Sequence, residues 1–161
     1  MVGKVMTPGT YCLVMKMERP CTIQIGKLGQ GFFPAGYYVY VGSALQGLEQ
    51  RLARHSSPGK KRHWHIDYFL EYATIVNTRA IISTARLECH ISNQMRTISQ
   101  GIPMKGFGSS DCHCQSHLYY FSNTPLSSHL FEALWRQRSS AVGRALHSAA
   151  AREKNLQVEQ S

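Results

Sequence analysis

Two tyrosines stand beside glycines in short β-type segments, Gly9-Thr10-Tyr11 and Tyr40-Val41-Gly42, and Arg51 follows in the next segment. A phenol can position or deprotonate a water, and a guanidinium matches phosphate with a planar, permanently charged fork. Arg51 also opens a dense run with Arg54, His55, Lys60, Lys61, Arg62 and His63, interrupted only by a turn containing Pro58-Gly59. Such a run can track a phosphate backbone, and Trp64 and Tyr68 beside it can either stack on an unpaired base or pack in the core. His63 and Asp67 share a helix face, where a carboxylate-oriented imidazole can relay a proton, although such pairs more often cap or anchor the helix. Cys89, Cys112, Cys114 and His117 make a Cys₃His set with the softness zinc prefers. The C-x-C spacing is narrower than the usual two-residue spacer, so the sequence favours buried, reduced cysteines supporting the Ser109-Ser110-Asp111 turn.

The background composition narrows the chemistry. The chain has 161 residues with 18 Lys+Arg against 9 Asp+Glu, a formal charge of +9, which suits a polyanionic partner. Acids are scarce, and Asp67 and Asp111 are the only aspartates. A nuclease site built on three or four clustered carboxylates around two metals is therefore disfavoured. With 43% hydrophobic and 10% aromatic residues the chain can build a core. No apolar run approaches the ~18 residues of a membrane span. No secretory leader is read at Met1–Pro8, and the odd cysteine count lacks framework spacing, so a reducing cytoplasm is expected.

The elements that must position these residues follow from periodicity. Strands are expected at Thr10–Met17, Cys21–Ile25, Gly36–Gly42, Thr74–Ser83 and His117–Phe121, with a glycine-rich loop around Phe32-Phe33-Pro34. In the third strand Tyr38 and Tyr40 face one side and Tyr37, Val39 and Val41 the other. Helices are expected at Ala44–His55, Trp64–Tyr72, Arg86–Ile98 and Ser127–Arg138. The expected fold is α/β in the α+β sense: a small central antiparallel or mixed sheet flanked by helices, one domain over residues 1–138. Residues 139–161, rich in Ala, Ser, Gln and charge, are expected to form a frayed helix or disordered tail.

The ordered set of Gly9-Thr10-Tyr11, Gly36–Ala44 (GYYVYVGSA), Arg51–His55, His63–Tyr68 (HWHIDY), Glu88-Cys89 and Gly108–Leu118 (GSSDC-x-C-x-SHL) resembles the GIY-YIG nuclease superfamily, and within it one poorly characterised branch. The resemblance covers roughly residues 9–122. It implies that Tyr11 and Tyr40 are the motif tyrosines, Arg51 the helix arginine, His55 the histidine one turn later, and Glu88 the holder of a divalent metal. Thr10 replaces the motif isoleucine, and about 25 residues separate the two motifs, which adds a hairpin between them.

Phosphodiester hydrolysis needs an activated water, charge neutralisation at the phosphoryl oxygens and help for the leaving oxygen. One carboxylate can anchor a Mg²⁺ that keeps most of its waters. Ionising an ordinary tyrosine at pH 7 costs roughly 4 kcal/mol, so Arg51 or a metal-bound water must lower that cost. The expectation is a Mg²⁺- or Mn²⁺-dependent endonuclease acting on DNA and, as the resemblance implies, leaving a 5′-phosphate and a 3′-hydroxyl. Tyr11, Tyr40, Arg51, His55 and Glu88 form its catalytic set, and Arg54, Lys60, Lys61, Arg62 and His63 bind the nucleic acid. The alternative is a non-cleaving DNA- or RNA-binding module on the same fold, zinc-stabilised through Cys89, Cys112, Cys114 and His117.

Overall fold

Pro8-Gly9 releases the chain into β1 (Gly9–Met17), where Tyr11, Leu13 and Met15 alternate with Thr10, Cys12 and Val14 and nearly every side chain is buried. A strand buried on both faces belongs inside a sheet that is covered on both sides. The computed structural model describes residues 6–136, and in it β1 occupies such a position. It pairs with β4 (Gly36–Ala44) on one edge and β5 (Thr74–Ile82) on the other, and β4 pairs with β6 (Leu118–Phe121). The sheet order is β5-β1-β4-β6, antiparallel throughout.

The period of two divides the core. Tyr11, Leu13, Met15, Tyr38 and Tyr40 pack with Leu48 of α1 (Leu48–Ser56) and with Ile66 and Phe69 of α2 (His65–Phe69). Cys12, Val14, Val39 and Val41 pack on the opposite face with Ile91 and Met95 of α3 (Glu88–Ile98) and with Phe131 and Trp135 of α4 (His129–Arg136). The result is a mixed α+β fold with the sheet between two helical layers. Among the described residues no helix is long and apolar enough to cross a membrane.

Three segments depart from the sequence expectation by more than about two residues. The glycine-rich segment read as a loop contains β3 (Gly29–Phe33), which pairs residue for residue with β2 (Cys21–Ile25) across a 3₁₀ turn at Gly26–Leu28. Gly29 and Gly31 lower strand propensity, but burial of Phe33 edge-on to Phe69 and Tyr38 overrides it. The helix expected from Ala44 starts at Leu48, because Ser43 and Ala44 are held by ladder pairing to Thr10 and Gly9. The helix expected over Trp64–Tyr72 is cut to α2, since after the Leu70 N–H to Ile66 carbonyl bond the chain tightens and the Tyr72 N–H bonds the Phe69 carbonyl. The expected tail, residues 139–161, and the last two residues of the expected fourth helix lie outside the described residues.

Candidate active site

The register of β1 and β4 sets Tyr11 opposite Gly42 and Leu13 opposite Tyr40, so the two motif tyrosines share a face with ring centroids 6.5 Å apart. Glycine at 42 has a steric cause. A Cβ there would come within 2.6 Å of the Tyr11 Cζ and hydroxyl, so only glycine lets the phenol lie across β4. Gly108, at φ +69°, likewise lies where a Cβ would meet Tyr40 Cε2 at 2.9 Å.

The Tyr11 hydroxyl lies 2.6 Å from Nε2 of His55, which projects from the last turn of α1. Burial pushes the His55 imidazole down to about 4, so it is neutral at pH 7, and its tautomer decides which of the phenol and Nε2 donates. Its Nδ1 is buried with no hydrogen-bond partner. Burial also raises Tyr11 and Tyr40 above the ordinary phenol value; Arg51 partly opposes this for both, while each tyrosine's acidic neighbours add to it. Neither tyrosine is a phenolate in the resting site.

Arg51, one turn before His55, lays its guanidinium over the Trp64 ring at 4.3 Å and donates from Nη1 to the Ser43 carbonyl at 3.1 Å. Glu88 enters from the first turn of α3, where the helix dipole favours a carboxylate. Its Oε2 accepts from the Ser43 hydroxyl at 2.7 Å, and its Oε1 lies 2.8 Å from His117 Nδ1. Burial raises the Glu88 carboxyl, but His117, the Ser43 hydroxyl and the charge of Arg51 outweigh it, and the net shift is downward. Glu88 is thus ionised at neutral pH. Each oxygen keeps a lone pair beyond these contacts, so the carboxylate can take one hydrated divalent ion as a single protein ligand.

Tyr11, Tyr40, Arg51 and Glu88, carried by β1, β4, α1 and α3, line one cleft of about 330 Å³. Trp64, read from the sequence as a stacking candidate, also lines it, and residues not singled out as site residues complete it: Ser43, His65, Gly108, Ser110 and Asp111. Ser43 directly follows the Tyr-Val-Gly motif, and His65 sits inside the His-Trp-His run, where its Nδ1 accepts from the Gly108 N–H at 2.9 Å. Both positions carried a signal in their neighbours.

The basic run divides. Arg54 turns inward, stacks over Trp64 at 4.2 Å and forks onto Asp67 at 2.9 and 3.0 Å. Asp67 Oδ2 also accepts from the backbone N–H groups of His63 and Trp64, so this carboxylate caps α2. The sequence pairing of His63 with Asp67 is therefore made by the His63 backbone, which is the anchoring role. Lys60 Nζ donates to the His55 and Ser57 carbonyls at 2.8 and 3.3 Å, closing the end of α1. Lys61, Arg62 and His63 are exposed, with His63 on the cleft, and Arg62 lies over the Tyr68 ring and 3.6 Å from Glu71.

The cysteines are free of disulfides, as expected from the sequence, but the expectation that this set is buried is corrected. Cys89, Cys112 and Cys114 are only partly buried, and their sulfurs and a His117 ring nitrogen lie within 4.8 Å of one another. The Cys₃His cluster could hold a metal ion. The sequence named these four residues as a set, and its narrow C-x-C spacing argued against a metal; the fold brings them together because Cys89 arrives on α3 and His117 at the entry to β6.

A family model described as Domain of unknown function DUF123 matches residues 10–140, well over half the chain, and the chain belongs to that family. No curated protein and no solved structure matches it.

Proposed function

We propose that this member of the DUF123 family is an endonuclease of the GIY-YIG type, a divalent-metal-dependent hydrolase of DNA phosphodiester bonds. The observation that carries the reading is the convergence of Tyr11, Tyr40, Arg51 and Glu88 in one cleft, from four elements far apart in sequence.

The chain's own groups divide the work. In the imidazole tautomer that leaves Nε2 unprotonated, the Tyr11 hydroxyl donates to His55 and its oxygen can accept a hydrogen bond from an attacking water. As that water loses a proton to the Tyr11 oxygen, the phenol proton moves to His55 Nε2, so no buried phenolate forms. Tyr40 is buried beside Tyr11 and aligns the water from the second side. Arg51, held by the Trp64 face and the Ser43 carbonyl, directs its remaining donors at the charge growing on the phosphoryl oxygens. Glu88 would hold a hydrated Mg²⁺ or Mn²⁺, which when bound supplies Lewis-acid neutralisation of the phosphate and leaving oxygen. His63 on the cleft and the exposed Lys61 and Arg62 would serve as phosphate contacts, and DNA is the favoured partner.

A second reading, a non-cleaving DNA- or RNA-binding module on the same fold, draws on the Cys₃His cluster. Incubation with duplex, flap, branched and single-stranded substrates, with and without Mg²⁺, separates the two. Metal-dependent cleavage of at least one substrate is expected. Salt-sensitive binding with no cleavage of any would favour the module.

A further inference from the structure

We propose that Cys89, Cys112, Cys114 and His117 Nε2 bind one structural zinc ion, and that Glu88, acting through His117 Nδ1, ties this centre to the cleft. The inference does not depend on the nuclease reading.

The ligand atoms come from three places: Cys89 from the first turn of α3, Cys112 and Cys114 from the segment before β6, and His117 from the residue that opens onto β6. A tetrahedral zinc with Zn–S near ~2.3 Å and Zn–N near ~2.0 Å requires sulfur–nitrogen edges of about 3.6 Å. Cys112 Sγ lies 3.4 Å from His117 Nε2. The full set, within 4.8 Å, closes on such an ion with small side-chain rotations. All three cysteines are free of disulfides, and three thiolates with one imidazole form a closed coordination set of the structural type. Loading would release the thiol protons to solvent.

The other imidazole nitrogen supplies the second observation. His117 Nδ1 lies 2.8 Å from Glu88 Oε1, close enough that a small ring rotation forms the carboxylate–histidine bond that would hold the proton on Nδ1 and leave Nε2 for a metal. The centre also has a structural task. Residues 99–117 lack helix and ladder apart from one bridge, Gly101 to Tyr120, yet they supply the cleft wall at Gly108, Ser110 and Asp111. An ion joining Cys112 and Cys114 to α3 would fasten that wall.

The test reads metal. Full-length protein purified from zinc-supplemented cells should carry one zinc per chain by elemental analysis. Anaerobic replacement by Co²⁺ should give thiolate-to-cobalt charge transfer and tetrahedral d–d bands. Cys112→Ser and Cys114→Ser should each lose the bound ion, whereas His113→Ala, an exposed neighbour outside the cluster, should keep it. Glu88→Gln should retain one zinc but yield it to a chromophoric chelator with affinity about 10–100-fold lower. Wild-type protein with well under one zinc and no cobalt bands would overturn the site, whether or not the serine variants fold. Unchanged affinity in Glu88→Gln would overturn the coupling.

Discussion

Asp67→Asn provides a test of how the Arg51 side of the cleft is built. The Asp67 side chain is fully buried and accepts four hydrogen bonds: two from Arg54 and one each from the His63 and Trp64 N–H groups. An asparagine that keeps its oxygen on the two backbone donors must turn its NH₂ toward Arg54 Nη1, donor against donor. One charge-assisted bond is lost, worth about 1.5–3 kcal/mol, and a largely buried guanidinium loses its counter-charge. Arg54 is 29% exposed, so water recovers part of the loss, and about 3 kcal/mol is expected. For a chain of this length that lowers Tm by roughly 6–10 °C.

The pH dependence has a definite sign. Burial raises the Asp67 carboxyl, but Arg54 and the two backbone donors more than offset it, and its folded value lies below the ordinary one. Its contribution is therefore complete above the unfolded pKa near ~3.9 and is lost as pH falls through the folded value. Urea melts from pH 7 to pH 3 should show a full gap between wild type and Asp67→Asn at pH 7 that narrows below about pH 4, while Asp111→Asn, at an exposed position, should match wild type. A deficit under ~1 kcal/mol at pH 7, or a gap that does not narrow in acid, would refute the reasoning.

Tyr11→Phe should reduce cleavage roughly 10²-fold or more, the range for removing a general base, because it deletes the oxygen bonded to His55. Tyr40→Phe should cost less, since among the described residues its hydroxyl has no hydrogen bond like that of Tyr11 to His55; single-turnover rates with binding measured separately distinguish the two. Replacing Lys61 and Arg62 with alanine should weaken nucleic-acid binding alike across sequences and flatten the log–log salt slope by up to about 2, since each phosphate contact contributes ~0.9. Adding Lys60→Ala should instead lower stability by about 1 kcal/mol, because its ammonium closes α1 on two carbonyls.

The grouping of the two tyrosines, Arg51 and Glu88 was anticipated from the resemblance of the ordered motifs, since no periodicity joins Glu88 on α3 to the tyrosines on β1 and β4. The two-faced β4 was legible directly, because a period of two survives any packing. Arg54 was not. Its partner Asp67 lies thirteen residues on, across a turn, and no periodicity says which of several neighbouring cations folds inward to meet the only buried aspartate. The β2–β3 hairpin was half legible, since its glycines signal turn while the buried Phe33 that secures the second strand signals only an apolar residue. The four Cys₃His residues were legible as a set, but the narrow C-x-C spacing argued against a metal, because spacing rules describe ligands that lie close along the chain. These four meet through tertiary packing of α3 against the entry to β6.

The most direct test of the account is single-turnover cleavage by wild type, Glu88→Gln and Arg51→Ala at saturating substrate with Mg²⁺, with binding affinity and zinc content determined on the same preparations. The account predicts metal-dependent cleavage by wild type, near-complete loss in both variants, and binding within a few-fold of wild type, because both residues act on the transition state. Full activity in Glu88→Gln, or no cleavage of any substrate by wild type with Mg²⁺ or Mn²⁺, would contradict it.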